Sequence, residues 1–338
     1  MEYGVKSVKS GVSISGRGYG MVGICSVLHF LVDGLCLCCA YLLTAPFCLQ
    51  SSSFNVLEIF LTYNILAFLT QPLTGWVADR ISQKHWLLIG AVVLLSLAVL
   101  LTPFAISSGT APAMFAVVIL LGIGNSLFHV WGGKQVVMKV GNDIRALGVF
   151  VSTGAFGLAV ATVLFSWTCL YIILLAIILL ATTYVLMDLP HTNQCTSRLE
   201  HSKHHPPQGG MWGAIAIAAI AAFVMFRSYI GTEFSIGGDK SNAVILAIGF
   251  TSMLGKMAGG WISRWLGIVR ALIVMLVVVL ICMLTGSKDL VVVLLGLFMI
   301  NCTMPITLYL ANYVLPGREG LAFGILAAAL MPGYLLTI

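Results

Sequence analysis

The chain has 338 residues, 60% of them hydrophobic and only 8% charged, with a mean hydropathy of +1.06. A soluble domain carries about 25% charged residues, so the composition excludes a water-soluble globular protein and implies one embedded in the lipid bilayer. The net charge of +6 is scattered over short segments without a basic stripe, which excludes a nucleic-acid partner.

Residues 1–19 are polar and mildly basic. The apolar run after them, from Gly20, exceeds the roughly 7–15 residues of a cleavable signal core, so a first membrane span is expected there. Runs near 20–46, 54–78, 86–106, 112–132, 146–167, 169–188, 211–232, 242–263, 268–285, 290–314 and 321–338 predict eleven helices. Their lengths suit helices, since barrel strands would alternate in segments of about ten residues. The fold class expected is therefore all-α and membrane-embedded. The fifth and sixth runs are separated only by Trp167-Thr168, and together they are too long for one span. Trp131, Trp167 and Trp212 stand near run ends, as in an interfacial aromatic belt.

The segment 189–210 is the one long polar connection, and it carries His201, His204 and His205. Their spacing matches no metal-ligand pattern, so it reads as a solvated linker. It divides a six-helix bundle, 20–188, from a five-helix bundle, 211–338, which stops within its eleventh helix and leaves a twelfth unaccounted for. The nine cysteines lie mostly in apolar runs, where Cys packs as a small hydrophobe; Cys36-Leu37-Cys38-Cys39 lacks zinc-site spacing. With the N-terminus inside, thirteen Lys and Arg fall on cytoplasmic segments and two, Lys240 and Lys288, on outer loops. That asymmetry predicts a cytoplasmic N-terminus in the plasma membrane.

The two halves repeat. Gly75-Trp76 recurs as Gly260-Trp261, while Asn125, Gly141, Gly148 and Gly157 recur as Asn301, Gly317, Gly324 and Gly333 at one fixed offset of 176 residues. Parallel repeats of this kind are a transporter architecture. The turn Gly75-x-x-x-Asp79-Arg80-x-x-x-Lys84 resembles the loop motif between the second and third helices of the major facilitator superfamily; Gly260 and Arg264 occupy the equivalent positions in the second half. The resemblance implies two pseudo-symmetric bundles of six and five helices rocking around a midplane site, with the first, fourth, seventh and tenth helices lining a central cavity. It further implies that Asp79 caps the eleventh helix at Gly320-Leu321, a stabilising place for an acid. Within the superfamily, His29 to Asp33, Phe128-His129 and Arg227-Ser228 are similar to stretches of fosmidomycin-resistance-type exporters.

Polar groups inside spans must face protein or a watery cavity. His29 and Asp33 share one face of the first helix, about 12 and 18 Å from the cytoplasmic edge at 1.5 Å per residue. Asn125 and His129 share a face of the fourth helix, about 12 and 6 Å from that edge, and Arg227 lies about 24 Å up the seventh. Asn301 and Thr303 stand on the tenth helix, where Pro305 can bend the chain. No serine-hydrolase elbow, His-Glu-x-x-His helix or phosphate loop is present, so neither an enzyme nor a cofactor is expected. The expected function is proton-coupled transport of a small organic solute, with Asp33 titrating, Arg227 as counter-charge, and export as the direction. A membrane sensor or partner-binding protein that kept the fold is the rival reading.

Overall fold

The computed structural model describes residues 16–48, 56–81, 85–188, 210–235 and 241–336. They form eleven helices: α1 (Gly16–Cys48), α2 (Val56–Ala78), α3 (Trp86–Ser108), α4 (Ala111–Val140), α5 (Ile144–Leu164), α6 (Trp167–Asp188), α7 (Met211–Ser235), α8 (Asn242–Leu266), α9 (Ile268–Leu284), α10 (Leu290–Val314) and α11 (Glu319–Leu335). No strand occurs among the described residues. Nine of the helices are long and apolar enough to cross a bilayer, while α9 and α11 are shorter. α2 carries a π-turn over Ile65–Leu69 ahead of Pro72, and α10 is interrupted at Thr303 ahead of Pro305. Proline removes a helix hydrogen bond, so a local break is its expected consequence.

Helices α1–α6 form one bundle and α7–α11 the other, meeting along α5 against α8 and α2 against α11. Glycine lets these backbones touch. A Cβ on Gly75 would stand 2.1 Å from the Gly320 carbonyl oxygen, and one on Gly260 would stand 2.7 Å from that of Ile144. Ile144 and Gly320 are themselves 176 residues apart, so the sequence repeat is also a repeat of contacts. The same holds within the bundles. A Cβ on Gly157 would meet the Phe30 carbonyl oxygen at 2.2 Å, and one on Gly333 that of Met225 at 2.3 Å.

Three expected boundaries move. α1 begins at Gly16, so residues 16–19 are helical, and the turn between α5 and α6 lies at Phe165-Ser166 rather than Trp167-Thr168. α4 runs about two turns past its apolar stretch, to Val140. The charged residues there do not end it because Lys134 pairs with Asp79 and Lys139 with Asp188; Gly141, at φ +63°, does. Trp131 accordingly is no belt residue. It is buried edge-on to Tyr184, whereas Trp167 and Trp212 are exposed. The histidine-bearing linker and Lys84 lie outside the described residues.

Candidate functional site

α1, α4 and α5 bring three ionisable side chains into one cluster. The extension of α4 sets His129 about 16 Å from the end of its helix, deeper than the sequence places it, and level with His29. Both imidazoles are buried, 6% and 7% exposed. His29 Nε2 lies 3.3 Å from one carboxylate oxygen of Asp33, His129 Nε2 3.3 Å from the other, and the two Nε2 atoms are 2.9 Å apart. Asn125 donates to Asp33 Oδ1 at 3.2 Å. Gly154 of α5 makes room, since a Cβ there would fall 2.2 Å from Asp33 Oδ2 and 2.5 Å from His29 Nε2.

The far side of each imidazole decides the chemistry of the near side. His29 Nδ1 is 2.8 Å from the Phe150 carbonyl oxygen, and His129 Nδ1 is 3.0 Å from that of Asn125. A carbonyl only accepts, so both Nδ1 atoms carry the hydrogen. In neutral rings both Nε2 atoms are then bare lone pairs, facing each other and a carboxylate. Such convergence of acceptors is repulsive unless a cation sits among them, and a single proton shared by the Nε2 atoms satisfies it. The three ligand atoms also lie within 4.8 Å of one another, and imidazole with carboxylate is a donor set that a divalent transition metal accepts.

The cluster borders a cavity of about 200 Å³ between the bundles. His29, Asp33 and His129 line it from one half, and Arg227 of α7 and Lys256 of α8 from the other. Arg227 is 5% exposed, and its Nε and Nη2 have no hydrogen-bond partner among the described residues. It forms no ion pair with Asp33 or Glu233. Asn301 and Thr303 are buried away from the cavity, each bonded to a carbonyl of its own helix, Leu297 and Ile300; Met304 and Thr307 line it in their place.

At the Asp79 end, the bundles close on each other. Asp79 accepts from the backbone N–H of Gly320 at 3.0 Å and of Leu321 at 2.9 Å. Lys134 Nζ stands 3.2 Å from the same carboxylate and donates to the Ala78 carbonyl at 2.7 Å. Arg80 turns away, with its guanidinium 3.5 Å above the Trp76 ring. Arg264 is exposed and makes no hydrogen bond or ion pair among the described residues.

The family profile of the Major Facilitator Superfamily matches residues 22–337. The chain belongs to that superfamily. It is thus a multi-pass membrane protein with the fold of secondary transporters. Among solved structures, it is similar to a point variant of the fucose:proton symporter FucP of E. coli (TM-score 0.67, 12% identity, 94% of this chain and 90% of that one). FucP in the outward conformation aligns at TM-score 0.70 with 13% identity over 95% and 91% of the chains. A bacterial homologue of the iron transporter ferroportin in an outward-facing state aligns at 0.60 with 15% identity over 94% and 90%. No curated protein matches the sequence.

Sequence reasoning missed Lys256, Lys134 and Gly154. For Lys256 a signal was there: of the seventeen Lys and Arg, only Arg227 and Lys256 stand more than one turn inside an apolar run. Nothing local marks Lys134 or Gly154, whose roles depend on which helices meet.

Proposed function

We propose that this superfamily member is a proton-coupled secondary transporter of a small organic solute, and that the His29–His129–Asp33 cluster is its proton-binding unit. The observation that carries this is the pair of Nδ1–H donations to carbonyls, which leaves two bare Nε2 atoms and a carboxylate around one proton-sized gap. Asp33 then acts as one member of a shared site rather than as a lone titrating acid. The charged and titratable groups facing the cluster are Tyr63 of α2 and Cys36 of α1 on its own side, and Arg227 and Lys256 across the cavity. The two cations oppose a divalent metal at the cluster, which supports the proton over the metal.

Positive charge concentrates on the Asp79 face, so that face is assigned to the cytoplasm. Closure by Asp79 then holds the transporter shut towards the cytoplasm, with residues 20–188 and 211–338 as the rocking halves and 189–210 as their link. Opening requires the Asp79 contacts to break. Export is the direction supported by the likeness of His29 to Asp33, Phe128-His129 and Arg227-Ser228 to fosmidomycin-resistance-type exporters.

The test is uptake by proteoliposomes of a panel of small neutral and charged organic solutes under an imposed pH gradient. Wild-type protein accumulates at least one solute in proportion to the gradient, and Asp33→Asn and His129→Gln lose that dependence. Full-rate transport by Asp33→Asn with unchanged response to the gradient overturns the reading.

A further inference from the structure

We propose that Arg227 and Lys256 recognise an oxyanion, so that the solute is a small organic anion with an apolar body. The inference rests on the transport reading above and names the substrate class of the same cavity. Burying an unpaired guanidinium is strongly destabilising unless something compensates it, and no described acid bonds to Arg227. Asp33 is already held by Asn125 and the two imidazoles, and Glu233 is exposed.

Lys256 lines the same cavity and likewise has no hydrogen bond or ion pair among the described residues. Two cations of one half therefore face an open space whose one acid, Asp33, is already bonded by Asn125 and the two imidazoles. The planar fork of arginine matches a carboxylate or phosphonate with two parallel N–H bonds, and a lysine beside it adds a movable point charge. The anion that completes them must come from outside.

The remaining walls define the body of the solute behind its head group. Val151, Leu158, Val224, Phe323, Leu326 and Leu330 are apolar and come from both halves. The cavity, about 200 Å³, is below the roughly 300–1,000 Å³ of drug-sized sites. A short hydrocarbon chain or small ring fits it; a sugar with a hydroxyl on every carbon does not, because the walls offer few partners. An anion seated there faces the proton of the His–Asp cluster across the cavity, so the two charges stabilise each other.

The experiment is equilibrium binding to the purified full chain in detergent, by calorimetry, with matched four-carbon probes: butylphosphonate, butyrate, neutral butanamide and cationic butylamine. Expected is binding of the two anions over the amide and amine. Arg227→Gln weakens butylphosphonate binding at least tenfold, and Arg227→Lys weakens it less. Lys256→Gln gives a loss of several-fold and carries the test if Arg227→Gln does not fold. Binding of butanamide as tight as that of the anions, unchanged affinity in Arg227→Gln or Lys256→Gln, or no anion binding by wild type overturns the proposal. The assay needs neither membrane nor gradient. Anion binding without gradient-driven uptake would strike the transport reading alone, and gradient-driven uptake of neutral solutes alone would strike this one.

Discussion

The two interfaces between the bundles are built from one repeat but closed in different ways. Where α2 meets α11, Gly75 lies on the Gly320 carbonyl and Asp79 caps α11 from the opposite bundle. Where α8 meets α5, Gly260 lies on the Ile144 carbonyl, yet the position of the acid holds Arg264, and α5 is capped by its own Asp143. Asp143 accepts from the Arg145 backbone N–H at 3.0 Å, its guanidinium at 2.7 Å and the Tyr19 hydroxyl at 2.8 Å. A cap supplied in trans is lost when the halves separate, whereas a cap supplied within the bundle survives. The helix-end energy of α11 thus depends on the conformational state, and that of α5 does not. We propose that the first interface acts as the latch and its twin as the hinge.

Four substitutions break or sharpen this contrast. Gly75→Ala has the largest effect, because its Cβ would fall 2.1 Å from a backbone oxygen that has nowhere to go. A cost at or above the top of the ~1–3 kcal/mol overpacking range drives the Asp79 end open. Spin labels on the exposed positions Trp86 and Trp265 read this as a longer distance by electron–electron resonance. Asp79→Ala removes two charge-assisted bonds and the ion pair to Lys134, which keeps its bond to the Ala78 carbonyl, at about 2 kcal/mol. The same labels then report a shift in the closed-to-open ratio of about thirtyfold.

Asp143→Ala costs about 1 kcal/mol, as for other lost N-caps, and it lowers the melting temperature without changing the label distance. Burial pushes the Asp143 carboxyl up, but hydrogen bonds from Arg145 and Tyr19 outweigh it and hold the carboxyl below its ordinary value. Its contribution is therefore present above the unfolded carboxylate pKa of about 3.9 and is lost as pH falls through the lower folded value. Acid melting curves of wild type and Asp143→Ala should converge there. Arg264→Ala changes either measurement by less than about 0.5 kcal/mol, as for surface residues without partners; a large effect would show that the second interface also latches.

Much of the architecture was legible because membrane helices announce themselves by length and apolarity, and because a duplicated chain repeats its glycines. The 176-residue offset located the close approaches, although not which backbones they meet. Asp33, His29, His129 and Arg227 stood out as charges a bilayer would reject. Their arrangement was not legible. The depth of His129 depended on how far α4 continues, and apolar run length stops at Gly132 while the helix, held by Lys134 and Lys139, does not. Lys256 stood out on the same ground, inside the run 242–263, but only the packing of α8 against the cavity makes it a site residue. Asn301 and Thr303 misled for a simple reason: a buried polar side chain can satisfy itself on its own helix, and these two do.

The central claim is that a single proton belongs to the His29–His129–Asp33 cluster, and histidine nitrogen NMR of the isotope-labelled protein tests it directly. The chain has seven histidines, so His29→Gln and His129→Gln assign the two signals. Both Nδ1 atoms should appear protonated near neutral pH, with one further proton exchanging between the two Nε2 atoms and lost in Asp33→Asn. Two neutral rings with Nδ1 bare and a hydrogen on each Nε2 would contradict the claim.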